Sequence, residues 1–159
     1  MPQEPAEPRV FETVDPAPAL SERDIKTIEA TLLDTTQPMF TRMRAIFALR
    51  GLGTEEATHA IGRSLLAVHD SALLRHECAY VLGQLQDPAS LPYLERALFE
   101  DRDYMVRHES AEAMGNLGTD AVVPSLERAR REDENLDVRM SAEVALANLA
   151  FLKTDEMEY

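Results

Sequence analysis

Two histidine–glutamate pairs recur in the same local context, and they point to chemistry more directly than any other residues of the chain. His76-Glu77 and His108-Glu109 each follow an arginine and open similar small and apolar segments. Two histidines and one carboxylate are the ligand set of many non-haem Fe(II) oxygenases, whereas a structural zinc site takes four ligands, usually with cysteines among them. The pattern therefore favours an iron site formed by His76, His108 and one glutamate.

The same residues also have a simpler interpretation as parts of two helix starts. A glutamate in the first turn of a helix is stabilised by the helix dipole, and a histidine can lie on a solvated ridge without any ligand. Repeated units share residues without sharing a function, because function belongs to a site and not to a fold. The spacing alone leaves both interpretations open.

The two pairs belong to a longer internal repeat. Four arginines mark it at nearly equal intervals: Arg42, Arg75, Arg107 and Arg139. In every unit a small residue follows at offset three, leucine or methionine at offset seven and leucine at offset ten, as expected for one buried helix face. Ile61, Leu94 and Leu126 begin a second stripe at offset nineteen. Each unit is therefore predicted to be a helical hairpin, and the period predicts an all-α solenoid of about four HEAT-like repeats.

The repeat also predicts where the two pairs lie. Only the two central units carry His-Glu, and the outer units carry Met43-Arg44 and Met140-Ser141 at the same position. Equivalent residues of consecutive repeats lie on neighbouring helices whose axes are about 8–10 Å apart. Two side chains that lean into this gap can share one ion, so the repeat brings the two histidines within reach of the same metal.

Composition limits the class of protein and its partners. The chain has 159 residues, 45% hydrophobic and 28% charged, which is enough for one helical domain with a core. A formal net charge of −13 argues against a nucleic-acid partner and favours cationic partners, although such charge also simply keeps a surface solvated. Cys78 is the only cysteine, which excludes an internal disulfide and suits the cytoplasm.

The start of the chain differs in composition from the rest. It contains five prolines among acidic residues, and we predict a flexible leader over residues 1–20 followed by the repeat domain over residues 21–159. The leader has neither the apolar run nor the basic start of a signal peptide, and no segment is long enough to span a membrane. A helix is expected from Ser21, which begins a capping-box pattern, to about Leu33.

Several segments resemble a known enzyme family. Residues 73–85 (LLRHECAYVLGQL) and 105–115 (MVRHESAEAMG) closely resemble the paired motifs of deoxyhypusine hydroxylase. Residues 14–18 (VDPAP) look like that family's linker between its two halves, and residues 40–50 (FTRMRAIFALR) extend the similarity over nearly the whole chain. These features resemble the C-terminal half of the family's members.

The resemblance implies an iron- and dioxygen-dependent monooxygenase that converts the deoxyhypusine residue of translation initiation factor five A to hypusine. Members of the family place four His-Glu pairs, two in each of two HEAT-repeat halves, around a di-iron centre. Carried over residue by residue, the resemblance makes His76, His108 and Glu109 metal ligands. It makes Glu77 the residue that binds the cationic substrate side chain.

The chain also departs from the family, because it carries two of the four His-Glu pairs. We expect one of three arrangements: a fragment with one half, a half that works with a separate complementary half, or a homodimer that completes the di-iron site by symmetry. Tyr104 replaces the proline usual in the family's motif, and the acidic-aromatic residues 155–159 resemble the family's tail and favour a natural C-terminus. The alternative to an enzyme is a non-catalytic HEAT-repeat module for protein interaction.

Overall fold

The computed structural model describes residues 15–157, with side chains through residue 154. Over this range the chain forms eight α-helices and two short 3₁₀ turns, and no β-strand occurs among the described residues. The helices are α1 (Ile25–Leu33), α2 (Met39–Leu52), α3 (Glu55–Leu65), α4 (Ala72–Leu85), α5 (Leu91–Glu100), α6 (Tyr104–Asn116), α7 (Val123–Glu132) and α8 (Leu136–Met157). The 3₁₀ turns, Pro88–Ser90 and Asp120–Val122, lead directly into α5 and α7.

The helices pack as hairpins in two layers. Helices α2 and α3, α4 and α5, and α6 and α7 follow each other in the chain as the two helices of a hairpin, and α8 is the first helix of a fourth unit. The second helix of each hairpin packs mainly on the first helix of the next one, α3 on α4, α5 on α6 and α7 on α8. The first helices α2, α4, α6 and α8 pack side by side, while α3, α5 and α7 form the second layer and α1 covers α2 and α3. The predicted all-α solenoid of HEAT-like hairpins is confirmed.

The residue stripes read from the sequence form the core. The small residues at offset three and the apolar residues at offset nineteen are completely buried: Ala45, Cys78, Ser110, Ala142, Ile61, Leu94 and Leu126. Leu82, at offset seven, is buried as well. Three of the four leucines at offset ten differ: Leu52, Leu85 and Leu117 are only partly buried because they lie at the ends of their helices. The fourth, Leu149, lies inside the longer helix α8 and is buried.

The arginines that mark the repeat form a ladder of buried ion pairs. Arg75 donates to both carboxylate oxygens of Asp101, at 2.8 and 3.0 Å, and Arg107 donates to those of Asp133 at 2.9 and 3.2 Å. Arg42 makes the equivalent pair with Asp70. Each aspartate lies in the loop before the next first helix, so every pair ties one repeat to the following one.

Backbone carbonyls extend this ladder along the solenoid. Arg107 also donates to the Asp101 carbonyl at 3.0 Å, and Arg139 donates to the Asp133 carbonyl at 2.6 Å. These first helices are therefore also held to the aspartate loop that precedes them. Because a guanidinium has donors in a fixed planar arrangement, these contacts also fix the rotation of the helix about its axis.

The start of α1 differs from the prediction. The helix begins at Ile25 and not at Ser21, since Asp24 is the N-cap and accepts a hydrogen bond from the Thr27 N–H at 3.0 Å. The Glu22 carboxylate accepts from the backbone N–H groups of Arg23 and Asp24, both at 2.8 Å, so the residues before Asp24 form a turn. Aspartate and serine are similarly good N-caps, and the sequence pattern favoured the earlier one.

Part of the predicted leader lies along α2. Residues 1–14 are outside the described residues, but residues 15–20 contact the helix. The Leu20 N–H donates to the Arg44 carbonyl at 3.2 Å, the Arg44 Nε donates to the Pro18 carbonyl at 3.0 Å, and Ala17 is buried. The division of the chain at residue 20 stays a prediction. Among the described helices, none has the length and apolar character needed to cross a membrane.

Candidate metal site

The two histidine–glutamate pairs lie on the adjacent first helices α4 and α6. His76 is the fifth residue of α4 and His108 the fifth residue of α6. Neither helix has an acidic residue in its first turn. The helix dipole therefore does not account for the two glutamates, which favours the interpretation in which they belong to a site.

Two glycines allow the first helices to approach closely beside the site. A Cβ atom added at Gly83 in α4 would lie 2.9 Å from the Cα of Ala113 in α6. A Cβ added at Gly115 would lie 2.8 Å from the Cβ of Ala145 in α8. Both distances are shorter than real Cβ contacts, so a larger residue at either position would push the helices apart.

The Glu109 carboxylate stands between the two histidines. Its Oε2 lies 3.1 Å from His76 Nε2 and 3.9 Å from His108 Nε2. The Glu109 side chain is 9% exposed, while both histidine side chains remain about one quarter exposed, at 27% and 25%. The structure thus brings the three predicted ligands together around one buried carboxylate oxygen.

Glu112 joins this group and was missed in the sequence. It lies one helical turn after His108, with its Oε1 3.8 Å from His108 Nε2. Single donor atoms of His108, Glu109 and Glu112 all lie within 4.8 Å of one another, which is compact enough to hold a metal ion. His76 is outside that compact set and reaches it through Glu109. The available signal was the spacing of four residues from His108, which places Glu112 on the same helix face.

The Glu109 carboxylate shifts the pKa of His76. The hydrogen bond to Glu109 raises the pKa of His76 above its ordinary value, and the opposing effect of burial is smaller. The carboxylates of Glu77 and Glu112 shift this pKa in the same direction. Because a metal binds the neutral imidazole, the raised pKa means that protons compete with a metal for His76 up to a higher pH than for an ordinary histidine.

Glu77, predicted to bind the substrate, lies on the other side of His76. Its Oε2 is 3.9 Å from His76 Nδ1, and its side chain is 13% exposed. Burial raises the pKa of Glu77, although the neighbouring His76 opposes this shift. Glu77 therefore approaches the ring nitrogen of His76 that does not face Glu109, and its carboxylate is largely removed from water.

A groove of about 360 Å³ runs beside His108 between α6 and α8. Its walls are apolar and acidic: Met105, His108, Glu112, Asp137, Met140, Ser141 and Val144 line it. Met140 and Val144 are exposed, at 52% and 66%. Ser141, which holds the position of Glu109 in the next repeat, touches His108 Nδ1 from this side with its Oγ at 2.5 Å. The histidine is thus contacted on one side by carboxylates and on the other by a hydroxyl.

Two other residues of types that often do chemistry, His59 and Cys78, have structural roles in this fold. His59 lies in α3, in the second layer, where its Nδ1 is 2.8 Å from the Tyr93 hydroxyl. Cys78 is completely buried, and burial raises the pKa of its thiol to about 12. A thiol with this pKa is a poor nucleophile at neutral pH. Neither residue belongs to the site.

Comparisons with known proteins agree with this arrangement. Residues 63–147 match the family described as HEAT repeats. Deoxyhypusine hydroxylase of Gallus gallus is 51% identical over 88 residues, covering 55% of this chain and 29% of the chicken protein. The enzyme of the same name from Danio rerio is 52% identical over 86 residues, covering 54% of this chain and 28% of the fish protein.

A solved structure of human deoxyhypusine hydroxylase in complex with glycerol is also similar. It superposes with a TM-score of 0.80 at 45% identity, and the alignment covers 93% of this chain and 50% of the human chain. The chain therefore spans about half the length of that protein. The matched repeats show that this chain belongs to the HEAT-repeat proteins, and within them its sequence and its structure are similar to those of deoxyhypusine hydroxylase.

Proposed function

We propose that the chain binds Fe(II) through His76, His108 and Glu109 and acts as half of an iron- and dioxygen-dependent deoxyhypusine monooxygenase. The observation that carries the proposal is the position of Glu109, a buried carboxylate with one oxygen 3.1 Å and 3.9 Å from the Nε2 atoms of two histidines. The motifs that resemble the family are the segments that supply these residues. The substrate would be the deoxyhypusine form of translation initiation factor five A, in the cytoplasm.

The residues fit the metal. Imidazole nitrogens and a carboxylate oxygen suit Fe(II), and a set of two histidines with one carboxylate leaves coordination positions open for small ligands. Among the described residues, the ion-pair partners of Glu109 are His76 and His108, with no lysine or arginine. A buried carboxylate needs a compensating charge, and a bound cation would supply it. Iron at this site would provide the activation of dioxygen that hydroxylation of an unreactive C–H bond requires.

Glu77 would hold the substrate. The deoxyhypusine side chain is long and cationic, and Glu77 lies beside the proposed ligand His76 with only 13% of its side chain exposed. A charge-assisted hydrogen bond to the substrate amine would be strong in such a partly desolvated place. The net charge of −13 would also attract a cationic protein segment to this surface.

A second half would complete the reaction centre. This chain offers one set of two histidines and the carboxylates around them, and it spans about half of the human enzyme. A di-iron centre would therefore need either a complementary half or a second copy of this chain. The exposed apolar residues Met105, Met140 and Val144, at 41%, 52% and 66%, would contribute to such a contact.

The same exposed apolar residues favour the alternative function. A HEAT-repeat module without catalysis would use them to bind another protein, and its histidine–glutamate pairs would then bind no iron. Affinity for Fe(II), measured on the purified chain, distinguishes this alternative from the enzyme before any turnover assay.

Turnover is the direct test of the proposed activity. The chain, loaded anaerobically with Fe(II) and then exposed to dioxygen, is incubated with the deoxyhypusine form of the factor, and hypusine is measured by mass spectrometry. Product from the wild type but not from His108→Ala supports the proposal. A chain that binds iron, forms dimers and yields no product would contradict catalysis by two copies of this half.

A further inference from the structure

We propose that Ser141 is a positioning residue of the candidate metal site, because its hydroxyl fixes the tautomer of His108. In this arrangement His108 Nδ1 carries the proton and donates a hydrogen bond to Ser141 Oγ. Nε2 then presents its lone pair towards Glu109 and Glu112. The consequence for metal binding rests on the proposed function, but the tautomer itself does not.

The hydrogen bonds of Ser141 determine the direction of this contact. Ser141 Oγ lies 2.5 Å from His108 Nδ1 and 2.8 Å from the Asp137 carbonyl oxygen, one turn back in α8. A serine hydroxyl has one hydrogen to donate, and a carbonyl oxygen has none. If the hydroxyl donated to Nδ1, its oxygen and the Asp137 carbonyl oxygen would face each other at hydrogen-bond distance with no hydrogen between them. The hydroxyl therefore donates to Asp137 and accepts from His108.

The burial of Ser141 strengthens this assignment. The residue is 8% exposed, so water does not readily replace either of its hydrogen-bond partners. At the equivalent positions of the other repeats stand Arg44, Glu77 and Glu109. A short hydroxyl side chain reaches Nδ1 of His108 while α8 packs closely on α6, as the approach of Gly115 to Ala145 shows.

The other ring nitrogen of His108 faces acceptors without bonding to them. Nε2 lies 3.9 Å from Glu109 Oε2 and 3.8 Å from Glu112 Oε1, and both distances are too long for hydrogen bonds. Two donors that each lie about 2.0–2.2 Å from one ion are themselves about 3–4 Å apart. The spacing around Nε2 thus suits a lone pair that shares a cation with the two carboxylates.

His76 provides a contrast within the same site. Its Nε2 is 3.1 Å from Glu109 Oε2, a hydrogen-bond distance, and its Nδ1 is 3.9 Å from Glu77. In the metal-free chain His76 therefore carries a proton on the nitrogen that faces the site. Nε2 of His108 is thus free of a proton before a metal arrives, whereas the proton on Nε2 of His76 must leave that nitrogen before a metal can bind there, and Ser141 is the residue that makes this difference.

A matched control exists in the neighbouring first helix. Ser110 in α6 is also buried, and its hydroxyl donates to the Val106 carbonyl, one turn back, at 2.8 Å. Ser110→Ala removes the same kind of hydroxyl-to-carbonyl bond as Ser141→Ala, and among the described residues Ser110 makes no hydrogen bond with a histidine. Ser141→Thr keeps the hydroxyl and serves as the rescue variant.

The first experiment determines the tautomer of His108 by NMR in the metal-free, full-length chain labelled with ¹⁵N. Two-bond ¹H–¹⁵N correlation spectra, recorded where the imidazoles are neutral, distinguish a protonated Nδ1 from a protonated Nε2. We expect the Nδ1–H form of His108 in the wild type, Ser110→Ala and Ser141→Thr, and a shift towards Nε2–H in Ser141→Ala. An Nε2–H form in the wild type would overturn the proposal, and this result does not depend on how well Ser141→Ala folds.

The second experiment measures the affinity of each variant for Fe(II) by anaerobic calorimetry. Loss of a residue that orients a metal-binding histidine typically weakens affinity about 10- to 100-fold. We expect this loss in Ser141→Ala and near wild-type affinity in Ser141→Thr and Ser110→Ala. Equal affinity of Ser141→Ala and the wild type would overturn the positioning role. A wild type that binds no Fe(II) but shows the expected tautomer would instead contradict the proposed function.

Discussion

Arg75 and Asp101 form a buried ion pair with two contacts, Nε to Oδ2 at 2.8 Å and Nη2 to Oδ1 at 3.0 Å. Their side chains are 2% and 1% exposed. Arg75 directly precedes His76, and Asp101 lies in the loop that leads into α6. The pair therefore joins the two helices that carry the candidate metal site, and it fixes how they meet.

Breaking this pair should strongly destabilise the fold. Asp101→Asn keeps the shape of the side chain but leaves the buried Arg75 charge without a counter-charge, which costs about 3–5 kcal/mol. Urea unfolding of the full chain measures this difference. The control is Glu100→Gln, which breaks the exposed Arg96–Glu100 pair and should cost at most about 0.5 kcal/mol. Similar small effects of both variants would show that the ladder does not hold the repeats together.

The core register makes a separate prediction about two leucines of α4. Leu82 is completely buried, so Leu82→Ala should lower the free energy of unfolding by about 2–5 kcal/mol. Leu73 is 59% exposed, so Leu73→Ala should change it by no more than about 0.5 kcal/mol. Leu117 directly follows α6 and is only partly buried, so the loss of unfolding free energy in Leu117→Ala should lie between those of the other two variants. An unchanged melting curve for Leu82→Ala would contradict the register.

Much of the fold and part of the site followed from the sequence, for a specific reason. A repeat places equivalent residues on neighbouring helices, so the offsets from the four arginines were sufficient to predict the hairpins and to bring His76 and His108 near one glutamate. The choice of Glu109 as that glutamate came from the resemblance to the family, and the structure places Glu109 between the two histidines. The period carries this information without any knowledge of side-chain contacts. It therefore predicted the backbone arrangement better than the partners of individual side chains.

The residues that the sequence did not reveal depend on those contacts. The aspartates of the ladder stand 26 to 28 residues from their arginines, and no local pattern links them. In the sequence, Ser141 only marks a repeat that lacks the histidine–glutamate pair. Its contact with His108 becomes visible only when α8 packs on α6. Glu112 had a local signal, but exposed glutamates four residues from a histidine are common in helices without any ligand.

Removing a ligand histidine should abolish iron binding without unfolding the chain. His76 and His108 are about one quarter exposed and lie outside the apolar core, so His76→Ala and His108→Ala should retain helicity by circular dichroism while losing bound iron. His69→Ala, in an exposed loop, is the control and should bind iron normally. A large loss of thermal stability with unchanged iron content would mean that the histidines are structural.

Glu112 should contribute to metal affinity. Glu112→Gln removes the charge of a carboxylate whose oxygen lies 3.8 Å from His108 Nε2, and we expect Fe(II) affinity to fall by about tenfold, as for a ligand-supporting group. Glu143→Gln, at an exposed position of α8, removes the same charge away from the site and should leave affinity unchanged. Equal losses in the two variants would show that only the net charge matters.

Glu77 should act on the substrate and not on the metal. Loss of one charge-assisted hydrogen bond costs about 1.5–3 kcal/mol, so Glu77→Gln should weaken binding of the deoxyhypusine factor by about 10- to 100-fold while iron content stays the same. Binding is followed by surface plasmon resonance, and iron by mass spectrometry of the same sample. Iron loss in Glu77→Gln would place this residue among the ligands instead.

The central claim is that this chain binds iron between α4 and α6, and iron content tests it most directly. The chain is purified without added metal, supplied anaerobically with Fe(II), freed of unbound metal and measured for iron per chain together with its mass by light scattering. We predict about one iron per chain, lost in His108→Ala and kept in His69→Ala. A folded wild type that retains no iron, or a His108→Ala variant that retains as much as the wild type, would contradict the account.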